Sequence, residues 1–164
     1  MSTSSGMDDY LLRYNASKVF ERHCEDPTFC TDLISKSKIS VRYVFESIPT
    51  QHRTAELCAL AVTRDGLALE FVPEELKTAE LYALAVTQSG LALRLVPKEL
   101  KTAELCALAV TQSGLALELV PKELKTAELC ALAVTQDGYA LRYVPKELQT
   151  LISKEKVTKK WWWL

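Results

Sequence analysis

The sequence predicts an all-α protein in which short helical units stack as a right-handed α-solenoid between N- and C-terminal capping helices. The main observation is a period of 24 residues, which both glycine and proline follow, with each glycine seven residues before its proline. The recurring positions are Gly66, Gly90, Gly114 and Gly138, together with Pro49, Pro73, Pro97, Pro121 and Pro145. Fixed periods of this size mark repeat architectures. Residues 53–148 therefore form four tandem units.

The first half of each unit predicts an α-helix. In the second unit, Thr78 is a favourable N-cap, and Glu80 places a carboxylate in the first turn, where the helix dipole stabilises it. No helix breaker follows before Gly90, which we expect to end the helix as a C′ residue with a positive φ. The predicted helix is about eleven residues, or roughly 16 Å, long.

The second half of each unit fits two interpretations. Leu91, Leu93 and Leu95 alternate as in a strand, which would suggest a leucine-rich horseshoe, whereas Ala92, Leu95 and Val96 follow helical spacing. Val-Pro stands where horseshoe repeats place Asn or Cys, and alanine is a poor strand former. The sequence therefore favours a short second helix, which gives each unit a pair of helices.

The apolar pattern predicts that the units depend on one another. The middle of the first helix, residues 81–86, is apolar on all sides, which is typical of a helix packed between neighbours. Leu108, at this level of a central unit, is expected to be buried. Charges at one repeat position alternate in sign, which supports stacking in register and has no catalytic meaning. These residues are Glu70, Arg94, Glu118 and Arg142.

The ends of the chain are expected to differ from the central units. Residues 1–7 are Ser-rich and predict a disordered leader, and residues 8–52 predict an N-terminal helix followed by a degenerate capping repeat. Residues 149–164 form a basic, Trp-rich C-terminal cap or tail. Such ends are usual in repeat arrays because one side of each terminal unit meets water.

Composition narrows the class of function. The net charge is −1, and the four units carry ten basic and thirteen acidic residues, so a basic face for nucleic acid is not expected. The five cysteines, of which Cys58, Cys106 and Cys130 share one repeat position with Tyr82, are of core type and suggest a reducing compartment. Neither a Sec signal peptide nor a membrane span is recognisable, so we expect a cytoplasmic protein.

No motif in the sequence predicts catalysis. His23, Cys24, Cys30 and His52 are the one conceivable metal set, but their spacing fits no zinc pattern, so a structural role is favoured. There is no phosphate loop, serine elbow or paired-carboxylate arrangement. We therefore expect a non-enzyme without a cofactor or a resident metal.

The C-terminal tail is the most suggestive binding segment. Lysines lead into three tryptophans, which suit a hot spot on a protein partner, a membrane interface, part of a secretion signal, or a cap over the last unit. Two tyrosines that replace leucines in the last unit extend this candidate surface. The predicted partner-binding residues are Trp161, Trp162, Trp163, Lys159, Lys160, Tyr139 and Tyr143.

The segment from Ala85 to Leu93, with copies that begin at Ala61, Ala109 and Ala133, resembles an uncharacterised bacterial family of tandem repeats. That family is known as a domain of unknown function with units of the form A-V-x-Q-x-G-x-A-L. It is frequent in effectors of intracellular and amoeba-associated bacteria. The resemblance implies a helical array, and an effector or accessory protein that acts in the bacterial cytoplasm or, once secreted, in a host cytosol.

These observations lead to one principal functional prediction and two alternatives. The principal one is a non-catalytic scaffold that binds a protein partner. The alternatives are a membrane-peripheral adaptor anchored by the Lys/Trp tail and a small regulator of a partner enzyme. The sequence leaves the partner and the oligomeric state open.

Overall fold

The computed structural model describes residues 27–36 and 40–152, and every secondary-structure element in them is helical. The chain divides into two compact units, one ending at Gln88 and the other beginning at Ser89. The leader, the N-terminal helix predicted within residues 8–25, and the tail beyond Ile152 lie outside the described residues. The strand interpretation of the second half of each repeat is therefore wrong for this chain.

The described residues of the first compact unit form four α-helices and three short 3₁₀ helices. Helix α1 (Pro27–Lys36) packs against α2 (Val41–Ser47) and α3 (Ala55–Arg64), and α3 packs against α4 (Ala79–Gln88). The 3₁₀ helix Gly66–Phe71 lies against α2, α3 and α4 and fills the space among them. Two shorter 3₁₀ turns, Thr50–His52 and Glu74–Leu76, precede α3 and α4.

The second compact unit repeats the same elements more regularly. Helix α5 (Ala103–Gln112) packs against α6 (Ala127–Gln136), and each also contacts the 3₁₀ helices before and after it. Those 3₁₀ helices, six residues each, contact one another in sequence order. They are Gly90–Leu95, Gly114–Leu119 and Gly138–Tyr143. The turns Lys98–Leu100 and Lys122–Leu124 connect them to the helices, and residues 146–152 are helical.

Threonine begins each repeat helix as the sequence predicts. The Thr78 hydroxyl accepts a hydrogen bond from the backbone N–H of Leu81 at 3.3 Å. Thr54, Thr102 and Thr126 do the same in their own helices. The pKa of Glu80 is lowered by hydrogen bonds from its own backbone N–H and from Thr78, so this carboxylate stays ionised at the helix N-terminus.

Glycine does not end the helices in the predicted way. The C-cap of α5 is Ser113, in extended backbone with φ −151°, and no described glycine has a positive φ. Gly114 instead begins the following 3₁₀ helix and permits close packing, because a Cβ there would lie 2.6 Å from the carbonyl oxygen of Ala133. A Cβ at Gly90 would likewise meet the carbonyl oxygen of Ala109. At Gly90 and Gly114 the glycine therefore serves close contact with the next helix and not a left-handed turn.

The second helix of the predicted pair is a 3₁₀ helix, which explains the ambiguous pattern. In a 3₁₀ helix, residues three apart share a face. Gly90, Leu93 and Val96 are accordingly buried, whereas Leu91 and Arg94 are exposed. A period of three matches neither the period of two expected for a strand nor the 3.6 expected for an α-helix.

Burial of the repeat helices is less complete than the sequence suggests. In α4, the buried residues are Leu81, Tyr82, Ala85 and Val86. The two residues between these pairs, Ala83 and Leu84, are half-buried. Leu108 of α5 is half-buried as well, so its expected burial is wrong. The deepest leucines lie in the 3₁₀ helices at Leu69, Leu93 and Leu117, each fully buried.

Candidate functional site

The candidate site is an exposed row of apolar side chains in the second compact unit. Leu91 is 43% exposed, Leu115 37% and Tyr139 77%, and each occupies the second position of a six-residue 3₁₀ helix. Because these 3₁₀ helices contact one another in order, the three side chains belong to one surface. We call these three residues the apolar row.

Charged residues accompany the apolar row. Arg94, Glu118 and Arg142 stand three positions after the row residues and are exposed, which places them on the same faces of the 3₁₀ helices. The Arg142 guanidinium lies 5.7 Å from the centre of the Tyr143 ring. The expected pairing of opposite charges along this column stays a prediction.

The lysine that begins a repeat holds the 3₁₀ helix of the same repeat. Lys101 Nζ donates to the carbonyl oxygen of Leu119 at 3.1 Å, and Lys125 Nζ donates to that of Tyr143 at 3.0 Å. Burial lowers the pKa of Lys125, against the opposing effects of Cys130 and Glu118. These contacts fix the C-terminal ends of the 3₁₀ helices that carry Leu115 and Tyr139, and so keep that part of the apolar row in place.

Arg53 has the corresponding role in the first compact unit. Its guanidinium donates to the carbonyl oxygens of Phe71, Ile48 and Glu46. These contacts were not predicted from the sequence, although a basic residue begins all four units, at Arg53, Lys77, Lys101 and Lys125. This recurring basic residue is the sequence signal from which such contacts can be predicted.

The repeated cysteines belong to the core. Cys58, Cys106 and Cys130 are fully buried, and Tyr82 at the same repeat position is nearly so, which confirms their prediction as core residues. Burial raises the pKa of all three thiols, and Cys58 Sγ donates to the carbonyl oxygen of Arg53 at 3.7 Å. A raised pKa leaves little thiolate, so these cysteines are poor nucleophiles.

Because Cys58 is buried as an un-ionised thiol, we expect the protein to lose stability in alkaline solution. Burial raises the pKa of Cys58 from 9.0 to about 11, although the Arg53 charge opposes this. The folded thiol therefore keeps its proton between pH 9 and 11 while the unfolded thiol loses it. The free energy of unfolding should therefore fall as the pH rises from 9 to 11. The stabilising contribution of Cys58 is fully present below pH 9.

Urea unfolding at a series of pH values measures this effect. The Cys58→Ala variant should lose less stability than the wild type between pH 9 and 11, whatever its stability at neutral pH. Equal pH dependence of the two proteins would contradict the burial of an un-ionised thiol at this position.

The structure describes two of the seven predicted partner-binding residues. Tyr139 is the most exposed of the large apolar side chains in residues 27–36 and 40–152. Tyr143 is half-buried, and its carbonyl oxygen accepts from Lys125. The other five, Trp161, Trp162, Trp163, Lys159 and Lys160, lie outside the described residues.

The conceivable metal set lies partly outside the described residues. Of the conceivable metal set, His23 and Cys24 lie outside the described residues, Cys30 is buried and His52 is half-buried at the end of a 3₁₀ turn. The described part of the chain holds no group of three or more metal-ligating side chains. Within that same part, every helix is too short or too polar to cross a bilayer.

Comparison with known proteins identifies the family. The model of a domain of unknown function, DUF4116, matches the chain twice in tandem, at residues 56–101 and 102–149. No curated protein and no solved structure matches the chain significantly. Each match contains two of the α-helix and 3₁₀-helix units described above. The two matches cover more than half of the sequence, and the chain is a tandem-repeat member of the DUF4116 family.

Proposed function

We propose that the protein is a non-catalytic scaffold that binds another protein through the apolar row. The observation that carries this proposal is the repeated exposure of Leu91, Leu115 and Tyr139 on neighbouring 3₁₀ helices. Scattered exposed apolar side chains are ordinary on protein surfaces, but large ones repeated at one position of neighbouring elements favour a binding site.

The rigidity of the surface supports this role. Lys101 and Lys125 close the C-terminal ends of two of the three 3₁₀ helices that carry the row, Gly114–Leu119 and Gly138–Tyr143. The buried faces of the row's 3₁₀ helices include Leu93 and Leu117, both fully buried. A rigid apolar surface loses little conformational entropy when a partner binds, so more of the contact energy becomes affinity.

The charged residues support selectivity for a protein partner. Arg94, Glu118 and Arg142 alternate in sign beside the apolar row. A partner with charges in the complementary order would pair with all three, whereas another register would bring like charges together. This arrangement fits a folded protein better than it fits a surface of uniform charge such as a nucleic acid or an anionic membrane.

We also propose that the repeats extend as a right-handed α-solenoid. Within the second compact unit, helices and 3₁₀ helices already contact their neighbours in sequence order, as stacking in register requires. A solenoid would align the 3₁₀ helices into one continuous surface, which is how repeat proteins present partner-binding faces.

Substitution within the row tests the function. The Leu91→Asp/Leu115→Asp double variant should weaken partner binding by about 2 kcal/mol or more, as for a hot spot. Leu100→Asp is a matched control, because Leu100 is 43% exposed like Leu91 but lies on a different 3₁₀ turn.

Affinity capture from bacterial and host lysates, followed by titration of the captured protein, gives the readout. Proteins that bind the wild type and the Leu100→Asp variant but not the double variant would support the apolar row as the binding surface. Equal binding by all three proteins would exclude it. Circular dichroism confirms that each variant keeps its helical content.

A further inference from the structure

The second compact unit contains a pocket between the turn Lys122–Leu124 and the helical residues 146–152. The pocket has a volume of about 360 Å³ and is open to solvent. Lys122 and Lys125 line one side of it, and Lys146 and Glu147 line another. Its volume lies in the range of small-molecule pockets, roughly 300 to 1,000 Å³. We call it the lysine pocket.

Positive charge dominates the lysine pocket. Three lysines and one glutamate line it, which gives the lining a net charge of +2. Lys122 and Lys146 are exposed, whereas Lys125 is half-buried. The four repeat units as a whole carry thirteen acidic and ten basic residues. The pocket is therefore a local positive region on an acidic body, which attracts small anions.

Lys125 has hydrogen-bonding capacity that the described part of the chain does not use. Its Nζ donates to the carbonyl oxygen of Tyr143, which also lines the pocket, and this is its one hydrogen bond among the described residues. An ammonium group has three donors. Burial lowers the pKa of Lys125, against the opposing effects of Cys130 and Glu118. A bound anion would offset this burial and accept from the remaining donors.

The preceding turns show an ion pair at the equivalent position. Lys98 Nζ lies 3.3 Å from Glu123 Oε1, so a lysine of one turn neutralises a glutamate of the next. Lys122 and Glu147 occupy the same two repeat positions. Within the described residues these two side chains form no ion pair with each other and instead line the pocket. Lys122 is therefore available to an anion from outside the chain.

We propose that the lysine pocket binds the phosphate group of a small soluble phosphate monoester, with Lys122, Lys125 and Lys146 donating to its oxygens. Such a group carries about −1.5 to −2 charge at neutral pH, which complements the lining. Lysine binds phosphate as a point charge, whereas arginine is better suited to the bidentate recognition of a carboxylate. The acidic excess of the repeats disfavours an anionic membrane as the source of the phosphate. The pocket adds to the proposed function, because it takes a small molecule and requires no protein partner.

Titration of the isotopically labelled full chain with glycerol phosphate, followed by NMR at constant ionic strength, tests the proposal. The backbone signals of residues 122–125 and 143–147 should shift and reach saturation. Glycerol, which carries no charge, should shift none of them. Acetate, with a single negative charge, should bind at least about threefold more weakly.

Substitutions in the lining give the expected direction of change. Lys122→Gln and Lys146→Gln should each weaken the binding of glycerol phosphate by about threefold or more, the scale of one exposed charge pair. Lys98→Gln is the matched control, since Lys98 is exposed at the same repeat position but pairs with Glu123, and should change the dissociation constant by less than about twofold. Glu147→Gln should tighten binding by about threefold, because it removes the negative charge from the lining. A folding defect cannot produce this gain.

Three results would overturn the proposal. The first is a shift that does not saturate, or that is equal in the wild type and in the Lys122→Gln/Lys146→Gln double variant. The second is binding to vesicles that contain phosphatidic acid without binding to glycerol phosphate, which would assign the lysines to a lipid headgroup. The third is equal tightening by Glu99→Gln, at the same repeat position as Glu147, which would show that overall charge and not the pocket controls binding.

Discussion

Leu117→Ala should destabilise the protein by about 2 to 5 kcal/mol, the range for removing a buried leucine and leaving a cavity. Leu117 is fully buried in the 3₁₀ helix Gly114–Leu119, which contacts both α5 and α6. Its side chain therefore joins neighbouring repeats, and no single helix can move to fill the space. Urea unfolding followed by circular dichroism measures the change.

Leu115→Ala in the same 3₁₀ helix is the control for this prediction. Leu115 is exposed, so its truncation should change the free energy of unfolding by no more than about 0.5 kcal/mol. Leu108→Ala should fall between the two because Leu108 is half-buried. Similar losses for Leu117→Ala and Leu115→Ala would show that the 3₁₀ helices are not the centre of the core.

Gly114→Ala should destabilise the protein by about 1 to 3 kcal/mol, the range for forcing an extra methyl group into a packed site. The new Cβ would lie 2.6 Å from the carbonyl oxygen of Ala133 and 3.2 Å from Asp137 Cβ. The first of these atoms belongs to the backbone of α6, so the helix itself would have to move away. Thermal or urea unfolding gives the measurement.

Gly138→Ala is the matched control at the same repeat position. Its Cβ would meet nothing within 4 Å, and its backbone needs no positive φ. Alanine should therefore be neutral or stabilise the protein by up to about 1 kcal/mol, because it restricts the unfolded chain. A comparable destabilisation at both positions would mean that the glycines serve the conformation of the 3₁₀ helix and not its packing.

The sequence predicts where the repeat helices begin because those signals are local. Thr78 caps its helix through a hydrogen bond to the N–H of Leu81, and any chain with threonine before an apolar helix can form this bond. The family could be predicted for the same reason, since the repeated pattern is visible without coordinates.

The function of the glycines could not be predicted, because it depends on contact between repeats. Gly114 and Gly138 occupy the same position in almost the same local sequence, but only Gly114 lies under a carbonyl oxygen of the next helix. A left-handed C′ glycine is the usual interpretation of such a pattern, and it ignores the neighbouring unit.

The candidate surface was predicted in part. The sequence points to Tyr139 because it replaces a leucine, and its exposure fits the expected polar edge. The sequence does not predict the exposure of Leu91 and Leu115, because that exposure follows from a 3₁₀ period of three within an ambiguous apolar run. Leu141 and Leu117 occupy the same repeat position, but Leu141 is 37% exposed and Leu117 is fully buried, a difference that depends on packing between repeats.

Deletion of one repeat tests most directly whether the units stabilise one another in register. Removal of residues 102–125 joins Lys101 to Thr126 and preserves the 24-residue phase. We predict a shorter array that keeps its helical content per residue and unfolds cooperatively with a lower free energy of unfolding. Removal of residues 102–113 breaks the phase and should disrupt the helical structure that follows. An equal loss of helical content after the two deletions would contradict the claim that the units stabilise one another in register.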